Sequence, residues 1–319
     1  MKFIISPQEI EKSPRLDHIL AHKLGISRSQ VAQAIAKELV FCNDKVCSKN
    51  GMTLKLGDCI ELKEQASSKV EQVKPFEDEI EVLYEDEEIL ILNKPPHLVV
   101  HQAPSVREAS LVDYLRSKGY QLSNLSGAER YGIIHRLDKP TSGAIAIAKS
   151  NFAHLELSRQ LQNRTMGRYY LAVIDLPLKQ RLEVECLMGR NPKNRLKMAK
   201  LKEGRYSKTL FSPLASSSLG LIAAKLYTGR THQIRLHLET LSRHIIGDEV
   251  YGKQDSYQMR LMLHAYLLYF VHPRTGKTHF ICAPLFEDML GFAQKNFGVE
   301  IVDEVVDREY ILRCFGDFI

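Results

Sequence analysis

A polar stretch without periodicity, Gln65 to Glu79, interrupts the chain and rules out one continuous core running from end to end. Gln, Ser, Lys and Glu dominate it, the composition of a linker rather than of a packed element. At roughly 100–200 residues per domain, a chain of 319 residues is expected to hold about two domains. The expected division is a small unit at 1–64, the linker at 65–79, a large unit at 80–298 and an extension at 299–319.

The small unit reads as helix–helix–hairpin. Ser13 and Pro14 suit the start of a helix over 13–24, with Leu16, Ile19, Leu20 and Leu24 on one stripe and Gly25 as its stop. A second helix begins at Ser27, which has capping-box spacing to Gln30, and continues through Val31, Ile35 and Leu39. Val40 to Val46 forms two short strands around Asn43-Asp44, and Gly57-Asp58 turns the chain into Cys59–Leu62.

Beyond the linker, strands are expected at Ile80–Tyr84, Ile89–Asn93, Gly132–His135, Ala144–Lys149, Tyr169–Ile174 and Leu221–Leu226. Helical patterns are read at 110–118, 151–163, 231–241 and 258–268, and the acidic tail reads as strand-like. Strands arrive in pairs and triples rather than alternating strictly with helices. The expected class is therefore α+β with a mixed, mostly antiparallel sheet, preceded by a small α/β unit.

Some function classes drop out early. No apolar run approaches the roughly 18 residues of a membrane span, and the start turns polar too soon for a signal-peptide core, so a cytoplasmic protein without a membrane partner is expected. The six cysteines, at 42, 47, 59, 186, 282 and 314, form no C-x-x-C pair and read as free thiols. No H-E-x-x-H occurs, and His232 and His237 are spaced wrongly for one helical face, so no metal is expected. Charge is uneven. Residues 75–92 hold 8 acids and no base, whereas 164–208 hold 12 bases against 4 acids, a density suited either to a polyanion or to a solvated basic face.

Three segments could do chemistry. In Tyr131 to Ile147, two hydrophobic runs flank His135-Arg136-Leu137-Asp138-Lys139-Pro140-Thr141-Ser142-Gly143. An aspartate with basic neighbours stays ionised and can act as nucleophile or base; the alternative is a turn whose Asp caps backbone amides. In Leu226 to His237, Arg235 is either a buried guanidinium forking a carboxylate or a surface ion pair. In Arg168 to Val173, alternation puts Tyr169 and Tyr170 on opposite faces, so at most one meets a cleft, and a core role is the other reading.

These residues resemble the RluA/RluD family of pseudouridine synthases. His135-Arg136-Leu137-Asp138 with Thr141-Ser142-Gly143 looks like its signature, and Leu226 through His237 like its later Gly-Arg-Thr-His-Gln-Ile-Arg motif. Asn93-Lys94-Pro95-Pro96, Arg168-x-Tyr170-x-Ala172, Gly247-Asp248 with Tyr251-Gly252, Leu263-His264-Ala265 and Ala283-Pro284-Leu285 complete a colinear set across about 80–290. The resemblance implies isomerisation of uridine to pseudouridine in RNA without a cofactor. It makes Asp138 the catalytic carboxylate, attacking the sugar or abstracting a sugar proton. It makes Arg235 its partner, Tyr170 the ring against the target base and Arg136 the side chain that fills the vacated stack. Lys94 falls at the pocket periphery without an assigned role. Departures from the pattern are Arg168 where lysine is frequent, Ile245 and Phe286 where proline is, and Leu261 for a glutamine.

The small unit resembles the S-four-type RNA-binding domain through Arg15-Leu16-Asp17, Ser27-Arg28-Ser29, Asn43/Lys45 and Gly57-Asp58, which makes Arg28, Lys37 and Lys45 candidate phosphate contacts. The expected substrate is large-subunit ribosomal RNA. Alternatives are a transfer-RNA target, or a ribosome-assembly factor whose catalysis is dispensable. A glycoside hydrolase would need a carboxylate pair, which Asp138 and Asp248 could offer, but tryptophan for sugar stacking is absent.

Overall fold

The computed structural model describes residues 2–24, 28–36, 38–62, 76–102, 108–127, 130–252 and 257–317. Gly25, Ser27, Lys37 and most of the expected linker lie outside the described residues. The chain divides into two compact units, Met1–Gln72 and Val73–Ile319.

In the first unit, β1 (Lys2–Ile4), β2 (Val40–Cys42), β3 (Lys45–Val46) and β4 (Cys59–Leu62) form an antiparallel sheet in the order β1-β4-β2-β3. Against it lie α1 (Pro7–Lys12), α2 (Leu16–Leu24) and α3 (Arg28–Ala36). Leu16, Ile19, Leu20, Val31 and Ile35 supply the buried stripe expected from their spacing and meet Val40 and Ile60 of the sheet. Helix α2 starts at Leu16 rather than after Ser13, which instead ends α1, a helix the sequence reading did not find. Asn43 and Asp44 both have positive φ, the geometry of a tight two-residue hairpin, and Asn43 Oδ1 accepts the Cys59 amide at 2.8 Å.

The second unit is built on one large sheet. Its strands are β5 (Val82–Glu85), β6 (Ile89–Lys94), β7 (Ser142–Ala148), β8 (Gly167–Ile174), β9 (Leu182–Arg190), β10 (Met198–Lys200), β11 (Arg205–Ser216), β12 (Gly220–Leu226), β13 (Leu263–Val271) and β14 (Thr278–Cys282). Their order is β10-β9-β11-β12-β8-β13-β7-β6-β5, with β14 paired to β13. Among the described strand pairings only β13–β7 is parallel, so the sheet is mixed and mostly antiparallel as expected. The helices are α4 (Leu111–Ser117), α5 (Asn151–Asn163), α6 (Gln233–Thr240), α7 (Glu287–Phe297), α8 (Val299–Val305) and α9 (Arg308–Phe315).

Strands β6 and β7 are buried on both faces, and their alternation sorts side chains to two cores. Leu90, Leu92, Ile145 and Ile147 enter the larger one. Ile89, Ile91, Ala144, Ala146 and Ala148 pack with Ala153 and Leu157 of α5. Three expectations are overturned here. Residues 258–268, read as helical, lead into and form β13. The tail, read as strand-like, is the helices α8 and α9, whose Val302, Val305, Ile311, Leu312 and Phe315 join the larger core. Gly132–His135 is a turn with a single bridge, Ile133 to Ile147, rather than a strand.

At the parallel β7–β13 contact the two backbones approach closely. Gly143 (φ +110°) lies opposite Ala265, and a Cβ there would stand 2.4 Å from the Ala265 carbonyl oxygen. Beside it, Ser142 Oγ and His264 Nδ1 are 2.9 Å apart, and His264 Nε2 faces the Ala283 carbonyl oxygen at 3.1 Å. A carbonyl only accepts, so Nε2 carries the proton and Ser142 donates to Nδ1; the ring is neutral. Burial pushes the His264 pKa down to about 4, and that of the buried His237 likewise to about 4.

The sign of the resulting pH dependence follows. An imidazole with a depressed pKa in the folded state takes its proton more readily when unfolded, so its contribution is complete above about pH 6.5 and disappears as pH falls towards 4. Urea midpoints should therefore fall between pH 6.5 and 4.5. A His264→Phe variant should show a shallower fall over that range; an unchanged slope would show that His264 does not titrate with unfolding.

Candidate active site

The site forms where the turn before β7, strand β8 and the loop into α6 converge. Asp138 opens that turn, which the Thr141 amide closes onto the Asp138 carbonyl at 3.1 Å. The turn is held from beneath by Lys94, fully buried at the end of β6. Its ammonium donates to the carbonyls of Pro95 (2.7 Å), Leu98 (2.9 Å) and Lys139 (3.3 Å), which matches its three donors to three acceptors. Burial pulls the Lys94 pKa down to about 7, against the opposing pull of Asp138. Asn93, its neighbour, ties β6 to the Pro284 carbonyl at 3.1 Å. These residues of the Asn-Lys-Pro segment thus support the Asp138 turn rather than border the pocket.

The loop from Thr228 to His232 is stapled by Gln233. Its carbonyl oxygen accepts from Thr228 Oγ1 (2.7 Å) and the Arg230 amide (3.1 Å), and its amide nitrogen donates to the Lys208 carbonyl (3.0 Å) and to Thr209 Oγ1 (2.9 Å). Neither Thr228 nor Thr231 caps α6; His232 does, at φ +57° in the left-handed region. That sparsely populated conformation brings His232 Nε2 to 4.0 Å from Asp138 Oδ2 and leaves Nδ1 3.2 Å from the Tyr251 hydroxyl. Burial lowers the His232 pKa, partly opposed by Asp138.

Arg235, on the first turn of α6, is buried as a guanidinium between two carboxylates. Its Nε and Nη2 fork Asp248 at 2.8 and 2.6 Å, and the remaining Nη1 lies 3.8 Å from Asp138 Oδ2. Asp248 also accepts the amides of Val250 and Tyr251, and the guanidinium lies over the Tyr251 ring at 5.2 Å. The fork geometry expected for Arg235 is present, but Asp248 receives it. Asp138 receives the single longer approach, which leaves most of its lone pairs open to the cleft.

Tyr170 lines the same cleft as Asp138, Arg235 and Arg136. Burial pushes its phenol up to about 12, so it is protonated at neutral pH. Tyr169 points away, donating to Asp317 at 2.8 Å, where Lys225 completes a tie to the C-terminal tail. The narrow cleft at Tyr170 opens into one hollow of about 450 Å³ and another of about 420 Å³, and Arg136 borders all three. Arg136 is exposed and carries no hydrogen bond or ion pair to any described residue. His135 lies behind it, its Nε2 accepting the Ala146 amide at 3.0 Å, and burial pushes its pKa down to about 3.

In the small unit, Arg28 and Arg15 both pair with Asp17, itself buried, at 2.7 and 3.0 Å, while keeping about half of each side chain exposed. Lys45 is exposed on β3. The sequence reading singled out neither His232, Tyr251 nor Lys94 for a role, although each falls inside a motif it quoted. Among the described residues no group of three or more His, Cys, Asp or Glu is arranged to hold a metal, and all six cysteines are free.

Removing either acid should therefore have different consequences. Asp248→Ala leaves Arg235 buried with one distant partner and should cost about 3–5 kcal/mol in urea unfolding. Asp138→Ala, which leaves the fork intact, should cost much less. Equal losses would show that the two carboxylates share the guanidinium evenly.

Comparison with known proteins matches this architecture. The family model of RNA pseudouridylate synthase covers residues 88–240, and that of the S4 domain residues 14–60. A Helicobacter pylori (strain J99) protein described as an uncharacterized RNA pseudouridine synthase is 51% identical over 325 residues, spanning 98% of both chains. The ribosomal large subunit pseudouridine synthase D of Neisseria meningitidis is 36% identical over 86% of this chain and 76% of its own. Among solved structures, human RNA pseudouridylate synthase domain containing 1 shares the fold, with a TM-score of 0.54 and 23% identity over 67% of this chain and 86% of that one. Identity of this extent, over nearly the whole length, shows that the chain belongs to the RNA pseudouridine synthases, with an S4 RNA-binding domain at its N-terminal end.

Proposed function

We propose that this RNA pseudouridine synthase modifies uridines of large-subunit ribosomal RNA, with Asp138 as the carboxylate that acts on the nucleoside. The observation that carries the assignment of Asp138 is its half-satisfied state. It is mostly buried and beside a guanidinium, yet among the described residues only its Oδ2 is approached, by Arg235 at 3.8 Å and His232 at 4.0 Å, because Asp248 occupies the fork. A carboxylate so placed keeps lone pairs for chemistry. The relatives named as ribosomal large subunit pseudouridine synthase D, from Neisseria meningitidis and Zymomonas mobilis, support the choice of RNA.

The overall change breaks the bond from N1 to C1′, makes one from C5 to C1′, and moves the C5 proton to N1, so nothing is added from outside. Asp138 begins it, either by attacking C1′ or by taking a proton from C2′. Arg235 holds that carboxylate in place and is not itself an RNA contact. Tyr170 offers the detached base a ring face and a neutral hydroxyl rather than a standing base, as its pKa of about 12 requires. Arg136, exposed and unpaired among the described residues, can occupy the stack a flipped uridine leaves, an extrusion that costs a few kcal/mol. In the S4 domain, Arg28 and Lys45 contact phosphates; Lys37, the third candidate, belongs to the same set.

The test uses RNA from cells lacking the protein. Pseudouridines missing from it should map to the large-subunit ribosomal RNA and return on incubation with purified protein. Loss from transfer RNA alone would replace the substrate. Asp138→Asn should release no tritium from C5-labelled uridine while binding that RNA with unchanged affinity; release at the parental rate would remove Asp138 from the chemistry.

A further inference from the structure

Arg168 contrasts with Arg235. Both are buried, at 7% and 4% exposure, yet Arg235 has Asp248 and Arg168 has no counter-charge among the described residues. Its Nε is enclosed without a hydrogen-bond partner, and no oxygen of a described residue accepts from its guanidinium. The groups that act on it electrostatically are the Tyr170 phenol and the like-charged Arg230, and burial draws its pKa below the ordinary value.

The surroundings are shaped for this side chain. A Cβ at position 229 would stand 2.3 Å from Arg168 Nη1, so any larger residue there would push the guanidinium aside. Arg168 precedes Tyr170 by two residues on β8, on the same strand face and about 7 Å along it. It borders both the cleft of Asp138 and Tyr170 and the hollow of about 450 Å³. The described lining of that hollow contains Arg130, Arg136, Arg164 and Arg230 and no carboxylate. A cation set this deep without a partner is unfavourable to a fold, and an anionic ligand in the adjoining hollow would supply the missing counter-charge. The ligand of this protein is RNA, whose anionic group is the phosphodiester.

We propose that Arg168, seated against Gly229 and flanked by Arg230, binds a phosphodiester of the substrate RNA next to the uridine held at Asp138 and Tyr170. The placement of that uridine rests on the reading given under Proposed function; the anion site itself does not. Tyr227 and Thr228 complete the wall along which the backbone leaves the cleft.

The experiment compares full-length wild type with Arg168→Met, Arg168→Lys and Gly229→Ala. The first readout is tritium release from C5-labelled RNA of a deletion strain, with enzyme in excess, across a salt series. Arg168→Met should raise the half-saturating enzyme concentration about tenfold and lower the log–log salt slope by about 0.7, the loss of one phosphate contact on a single strand. Arg168→Lys should keep the slope, and Gly229→Ala, which displaces the guanidinium without removing charge, should behave like the methionine variant.

The second readout needs no catalysis. Inorganic phosphate, against chloride at equal ionic strength, should raise the melting temperature of wild type more than that of Arg168→Met, and the methionine variant should melt no lower than wild type in chloride. An unchanged salt slope overturns the proposal. So does a methionine variant that melts lower and gains as much from phosphate, since the guanidinium would then be structural. Failure of wild type to release tritium would overturn the placement of uridine at Asp138, and the phosphate comparison would still decide whether Arg168 holds an anion.

Discussion

The guanidinium of Arg235 is the interaction on which the site turns. A planar fork satisfied by one carboxylate cannot give the same two bonds to another, so the choice of partner determines what each acid can do. Asp248, further held by two backbone amides, takes the fork and fixes the guanidinium. Asp138 feels the same positive charge from 3.8 Å without surrendering its oxygens to it. Were Asp138 the forked partner, it would be anchored but chemically occupied. On the proposed assignment, separating anchoring from reactivity takes two acids and one arginine, and the chain brings them from three places: the turn before β7, the first turn of α6 and the Gly247-Asp248 loop.

That arrangement depends in turn on buried polar links that cross the sheet. Lys94 holds the Asp138 turn from below, and Ser142 and His264 lock β7 to β13 and on to Ala283. Each is a polar group removed from water, stable only because its partners are complete. The parallel seam they flank is so close that Gly143 alone fits it. Several motifs that look unrelated along the chain are therefore one connected support, with Asp138 at its edge.

The sequence was most legible where one face of an element is polar. The stripe of α2 and the hairpin at Asn43-Asp44 appear as expected. Strands β6, β7, β8 and β12 are buried on both faces and were still read as strands, whereas β13 was missed, the Leu261 to Leu268 run that leads into and forms it holding no β-branched residue. That run is buried on both faces, so the period of 2 that marks a strand vanishes as well and the run imitates a helix. The tail failed in the opposite direction: Ile301, Val302, Val305 and Val306 are β-branched, but the buried pair Val302 and Val305 stands at helical spacing. At the site, Asp138, Tyr170 and Arg235 were legible as residues and fall in one cleft. The partition of Arg235 between two acids was not, because it depends on which carboxylate approaches the fork side-on, and nothing local encodes that.

Arg168 shows the same economy of charge from the other side. A fold could have given it an acid, as it gave Arg235, and would have gained stability by doing so. An internal carboxylate would also have competed with every incoming phosphate at the moment of binding, since a forked ion pair must be broken before the guanidinium can serve a ligand. Leaving the cation unpaired moves that cost into the free protein and returns it as affinity when the backbone arrives. The two arginines differ in partner because they differ in role. Arg235 must never let go of its carboxylate, and Arg168 must have nothing to let go of.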